Sequence, residues 1–147
     1  MKQSESFKPV AMVAKERERN AASQLGKNLS ESRSQQQQLE ELIRYRETYA
    51  RNYQAAGKAG MSSVRLREYQ LFLARLDTAI AQQKQLVSIS NQHIETSQSH
   101  WQSMHNRSEM IEKLLENKRQ LERKHRDEQE QKEIDDRPPS GGRFPYS

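Results

Sequence analysis

Residues 69–115 read YQLFLARLDTAIAQQKQLVSISNQHIETSQSHWQSMHNRSEMIEKLL. Within them a row formed by Tyr69, Leu73, Leu76, Ile80, Gln83, Val87, Ser90, Ile94, Ser97, Trp101, Met104, Ser108, Ile111 and Leu115 advances alternately by four and three positions. A row with this period, about 3.5 residues, stays on one side of a helix only when the helix under-winds against a partner. The stretch therefore predicts a coiled coil. An extended helical rod offers no cleft for catalysis, so function is to be sought in what the rod touches.

Composition points the same way. Only 32% of the 147 residues are hydrophobic and the mean hydropathy is -1.18, too little apolar material for a layered core of ordinary density. The absence of cysteine excludes a disulfide framework, a thiolate metal site and a thiol nucleophile, and fits a reducing cytosol. The N-terminus lacks the apolar run of a signal peptide, and no stretch is long enough to span a bilayer. The chain is expected in the cytoplasm, with membrane association only through a partner or through surface charge. The net charge of +5 is unevenly placed. Residues 44–84 carry Arg44, Arg46, Arg51, Lys58, Arg65, Arg67, Arg75 and Lys84 against Glu47, Glu68 and Asp77, and hold Tyr45, Tyr49, Tyr53, Tyr69 and Phe72.

The breakers set the organisation. Residues 1–8 read as a disordered lead-in, with Pro9 suited to a first helical turn where its missing N–H is not needed. The first helix is expected over about 10–54. A turn over 55–63 contains Gly57 and Gly60, and its serines can cap the next helix. The second helix is expected over about 64–134, giving one all-α domain over 1–137: a two-stranded antiparallel coiled-coil hairpin whose second helix is the longer. The tail, residues 138–147, is expected to be disordered.

The first helix carries a weaker seam through Ala11, Ala14, Glu18, Ala21, Leu25, Asn28, Ser32, Gln35, Leu39, Leu42, Arg46, Tyr49 and Tyr53. Folding the two seams about the turn, with residue numbers summing to about 118 or 119, sets Tyr49 against Tyr69, Leu42 against Leu76, Leu39 against Ile80 and Leu25 against Ile94. Polar positions also meet, Gln35 with Gln83 and Asn28 with Ser90, which penalises a slipped register. Ala14 and Ala21 fall opposite Met104 and Ser97, making room beside Trp101. Beyond about residue 108 this register leaves the second helix without an intramolecular partner. There Ile111, Leu114, Leu115 and Leu121 belong either to a solvated helix held by ion pairs or to a face awaiting another protein.

Near the turn the apolar surface is wider than a two-helix seam needs. Gln38, Leu42, Tyr45 and Tyr49 form one stripe, and Phe72, Leu76, Ala79, Gln83 and Leu86 another. Such a patch either closes the sides of the hairpin or binds a protein partner, and its aromatic content with arginines at the edge favours the partner. Basic residues among aromatics also raise nucleic-acid binding, but no module motif accompanies them and nucleic acid is not expected. His93, His100, His105 and His125 are not spaced to place three metal ligands on one face, and read as solvent-exposed. No phosphate loop, nucleophile elbow or paired carboxylates are visible, so no catalytic activity and no cofactor is expected.

Three segments carry a resemblance: Leu42-Ile43-Arg44-Tyr45-Arg46-Glu47-Thr48-Tyr49, then Ala59-Gly60, then Tyr69-Gln70-Leu71-Phe72-Leu73-Ala74-Arg75-Leu76-Asp77-Thr78-Ala79-Ile80. Over about residues 38–86 they resemble the flagellar export protein FliJ family, a soluble component of the type III export apparatus. The resemblance implies a non-enzymatic coiled coil similar to the central stalk of rotary ATPases. It implies association with the export ATPase FliI, promoting ring assembly and activity, and contact with the export-gate membrane protein FlhA. Handling of the empty chaperones of late substrates is also implied. The chain would then sit at the cytoplasmic side of the membrane at the flagellar base, reaching the membrane only through the gate. The family's gate-contact surface corresponds to Gln38, Leu42, Tyr45, Tyr49, Phe72, Leu76, Ala79 and Gln83, with a histidine familiar where Gln83 stands. The ATPase contact would involve residues 10–25 and 100–125. The alternatives are the equivalent stalk of a virulence injectisome, a nucleic-acid-binding coiled-coil arm, and a scaffold for chaperones alone.

Overall fold

The structure is a computed structural model that describes residues 3–137; the expected tail at 138–147 lies outside them. Among the described residues there are two helices, α1 (Gln3–Lys58) and α2 (Ser63–Asp136), and no strand. The fold is the all-α antiparallel hairpin, with α2 the longer helix. Contacts divide the described chain into two compact units. A hairpin unit comprises Asn20–Gln102, and a terminal unit comprises residues 3–19 and 103–137.

In the hairpin unit, cross-helix bonds pair falling numbers on α1 with rising numbers on α2. Gln70 Nε2 donates to Tyr53 Oη (2.9 Å), Arg46 meets Asp77, Gln83 meets Gln35, and Asn28 Nδ2 donates to the His93 carbonyl (3.2 Å). That order defines antiparallel packing. The buried α2 positions of this unit are Leu76, Gln83, Ser90 and Ser97, one heptad apart, faced by Ala21 and Leu39 of α1. Gln83 satisfies its amide by donating to both the backbone carbonyl (2.9 Å) and the Oε1 (2.7 Å) of Gln35. Ser90 and Ser97 donate instead to carbonyls of their own helix, at Val87 and His93. This local option of a helical serine leaves Asn28 to reach past Ser90, the partner expected for it, to His93.

The turn is built from two local devices. Gly60 has φ of 87°, a left-handed conformation that ends α1 and that a Cβ would oppose. Ser62 then caps α2, its Oγ accepting from the Arg65 N–H (3.3 Å), one of the donors a helix start leaves unpaired.

The terminal unit departs from expectation at its start. Helix α1 begins at Gln3 rather than near residue 10, so residues 3–8 are helical and Pro9 lies inside the helix. The cause is a cap from the other helix. The Ser4 N–H and Oγ–H both donate to the Glu122 carboxylate (2.9 and 2.6 Å), and Ser4 is buried. A charged acceptor on a first-turn N–H also complements the helix dipole. Lys118 lies over the Phe7 ring (4.7 Å to its centroid) and donates to Gln3 Oε1, while Lys15 pairs with Glu112 (3.2 Å). These contacts correct the expectation that α2 lacks a partner beyond about residue 108: Ser108, Ile111 and Leu115 are buried, and pairing reaches Glu122. Residues 123–137 are exposed throughout.

His105 is the other correction, half-buried rather than solvent-exposed. Its Nδ1 lies 2.8 Å from Glu18 Oε1 on α1 and its Nε2 3.2 Å from Glu109 Oε1 on α2. The hydrogen bond to Glu18 raises the His105 pKa above the ordinary 6.5, with Glu109 adding to it and partial desolvation and Lys15 opposing. The same bond lowers the Glu18 carboxyl below 4.5 against its own desolvation.

The signs of three substitutions can be read from these local features. Gly26 lies inside α1, and a Cβ there meets nothing within 4 Å. Gly26→Ala should therefore stabilise the chain by up to about 1 kcal/mol, whereas Gly60→Ala should destabilise it by about 1 kcal/mol. Urea unfolding monitored by circular dichroism gives both signs. For His105, the raised folded pKa means its contribution is complete below about pH 6.5 and is lost as pH rises through the shifted value. For Glu18, the lowered pKa means its contribution is complete above about pH 4.5 and is lost on acidification through the shifted value. The pair is thus worth most between about pH 4.5 and 6.5. The Tm advantage of the native chain over His105→Gln should be greatest there and shrink as pH rises through the raised His105 pKa; an advantage independent of pH would show that the ring acts by packing alone.

Candidate functional site

In the hairpin unit five rings from both helices are chained together. Tyr45 stands edge-on to Phe72 (centroids 6.2 Å, 81°), Phe72 packs on Tyr49 (4.5 Å), Tyr49 on Tyr69 (4.9 Å), and Tyr69 on Tyr53 (6.0 Å). Offset and edge contacts of this kind fix ring orientation as well as burying area. Tyr49 is the centre of the chain. Desolvation pushes its phenol pKa up, with Tyr69, Tyr45 and Glu68 adding to the effect.

Alongside, Arg46 grips Asp77 through Nε (2.8 Å to Oδ1) and a second guanidinium nitrogen (3.4 Å to Oδ2). The two-point bond raises the Arg46 pKa and lowers that of Asp77. It ties the α1 stripe to the α2 stripe at one level. A planar fork on a carboxylate resists rotation of one helix against the other.

The eight stripe residues divide by exposure. Gln38 and Tyr45 are exposed, Tyr45 by 52%. Leu42, Tyr49, Phe72 and Ala79 are half-buried, whereas Leu76 and Gln83 are each only 7% exposed and lie between the helices. The first six form the accessible face, and Leu76 and Gln83 support it from beneath. Seam membership alone does not set this division, because Leu42 and Tyr49 also belong to the seam and are only half-buried. Leu86 remains exposed on the α2 stripe, and Ile89, three residues further along, extends the exposed apolar row; sequence reasoning missed it. The helical step of three from Leu86 was the signal for it.

The terminal unit holds a second feature, an open groove of about 260 Å³ floored by Val10, Val13, Ala14, Met104 and Ile111, with Arg17 and Arg107 at its sides. One arginine comes from each helix. Among the described residues no cluster of His, Asp or Glu is arranged to hold a metal ion, and no helix is long and apolar enough to cross a membrane.

A family model described as Flagellar FliJ protein matches residues 2–137, nearly the whole chain. No curated protein and no solved structure matches it. The match takes in both the aromatic stripes and the terminal unit, and with it the chain belongs to the FliJ family, a family of non-enzymatic components of flagellar protein export.

Proposed function

We propose that this chain serves flagellar export as a stalk-like link between the export ATPase ring and the membrane export gate. The observation that carries the reading is the exposed face made by Gln38, Leu42, Tyr45, Tyr49, Phe72 and Ala79. An aromatic patch supported from beneath by Leu76 and Gln83 and tied alongside by the Arg46–Asp77 fork loses little side-chain entropy on docking, which is what interface anchors require. In this reading the face docks on the gate protein FlhA. The terminal unit contacts FliI, where the apolar groove with Arg17 and Arg107 offers a seat for an apolar side chain beside a carboxylate. Both helices contribute to both units, so a force or a preferred orientation imposed on one unit has a covalent route to the other. Promotion of ring assembly and reception of empty chaperones complete the role. The setting is the cytoplasmic side of the membrane at the flagellar base.

Two measurements test it. Tyr45→Ala combined with Phe72→Ala removes two anchors from the accessible face. It should weaken binding to FlhA by at least about tenfold and reduce motility, with helix content unchanged by circular dichroism; retained gate binding and export would remove the docking assignment. Separately, titrating this protein into the cognate export ATPase at fixed salt should give a saturable rise in ATP hydrolysis. Arg17→Gln with Arg107→Gln should shift that curve to higher concentration. A flat titration with an ATPase able to form rings would leave only gate and chaperone contacts.

A further inference from the structure

The turn carries a charge pattern that the stalk reading does not use. Between Glu47 and Glu68 there is no carboxylate, while Arg51, Lys58, Arg65 and Arg67 are all exposed. Arg51 donates to Thr48 Oγ1 (3.3 Å), and the side chains of Lys58, Arg65 and Arg67 make no hydrogen bond or ion pair with any described residue. One of these cations stands where helix electrostatics disfavours it. The opening turn of α2 contains Arg65 and no acidic residue, although the positive end of a helix dipole favours carboxylates. A local rule broken without compensation inside the fold points to a ligand outside it.

We propose that the turn of the hairpin unit binds the headgroup layer of an anionic membrane directly. The surface fits a bilayer better than an acidic protein or a nucleic acid. Around the turn the cations are long side chains set among Gly57, Ala59, Gly60, Ser62 and Ser63, with Val64 exposed by 69% as an apolar residue to insert at the interface. A fluid headgroup layer needs charge and no matching shape, whereas a protein partner requires a pocket or an aromatic anchor, and residues 57–67 contain no aromatic side chain. A duplex would require cations spread along a track. The gate contact is a separate matter, because lipid binding uses none of its residues.

The test is co-sedimentation of the full chain with vesicles of phosphatidylcholine alone or with one third phosphatidylglycerol. Binding should require the anionic lipid and fall as salt is raised. Neutralising Arg51, Lys58, Arg65 and Arg67 to Gln should weaken it by roughly fivefold per charge. Glutamine is a good helix former and all four positions are exposed, so helix content should hold. As a single-site check, Arg65→Glu should weaken binding more than Arg65→Gln does. Tyr45→Ala with Phe72→Ala should bind vesicles as the native chain does, which separates this proposal from gate docking. Three outcomes would overturn it: no preference for anionic vesicles; equal loss on neutralising Lys113, Arg119, Lys124 and Arg126 instead; or duplex DNA bound at the same salt while vesicles are not.

Discussion

Among the described residues two helices pack together without a third layer, and the rest of this structure depends on that constraint. A helix pair can hide one narrow row of side chains from each member, and short residues fit inside it most completely. Hence Ala14, Ala21, Ser90, Ser97 and Ser108 are buried, whereas Ile80, Val87, Ile94 and Trp101 are only half-covered although they lie on the same rows. Leu39, Leu76, Ile111 and Leu115 are the large apolar exceptions. Stability in such a pair comes from many modest contacts in series, and apolar surface remains outside by geometry rather than by accident.

That remainder of uncovered surface explains which parts of the fold were legible in sequence. Every seam position read from the four-and-three spacing, from Ala11 to Tyr53 and from Tyr69 to Leu115, is buried or half-buried, because periodicity reports directly on which face turns inward. The Gly60 turn and the Ser62 cap were legible for a different reason, being set by neighbours in the chain. The start of α1 was not. Its cap comes from Glu122, and no local pattern can announce an acceptor supplied by the other helix. The register suffered similarly. Fixing it from the turn placed Gln35 on Gln83 and Tyr49 on Tyr69 correctly, but Lys15 meets Glu112 rather than residue 103 or 104, and Ser4 meets Glu122 rather than Leu114 or Leu115. Helical side chains lean toward the N-terminus, so the atoms that touch belong to residues offset from those whose backbones are level. The burial of His105 was hidden for the same reason as the cap, because one of its two carboxylate neighbours comes from α1.

The candidate site was legible as composition and periodicity but not as depth. The stripes run along the side of each helix where the rings meet, and Tyr45 and Phe72 lie beside the seam as their spacing requires. Spacing does not separate a residue on the face from one under it. Leu76 and Gln83 belong to both patterns, and burial decides that they act as supports. The Gln83 amide illustrates the difference. It is spent on Gln35, so a side chain of different hydrogen-bonding capacity at this position would act on the face through the spacing and register of the helices rather than by touching a partner.

The distribution of polar contacts bears on how such a chain can serve several partners. Cross-helix polar contacts recur along its length: the Arg46–Asp77 fork and the Gln35–Gln83 pair in the hairpin unit, and Glu18–His105, Lys15–Glu112 and Ser4–Glu122 in the terminal unit. Exposed ion pairs contribute little to stability, so their value lies in fixing which residues face outward. With register fixed, the remaining surface is free to differ from place to place. It is aromatic on one stripe, cationic at the turn, apolar with flanking arginines in the terminal groove, and mixed in charge beyond Glu122. Such a helix pair can therefore discriminate among partners by where along two helices each chemistry is displayed, and a register slip of one heptad would scramble every one of those displays at once.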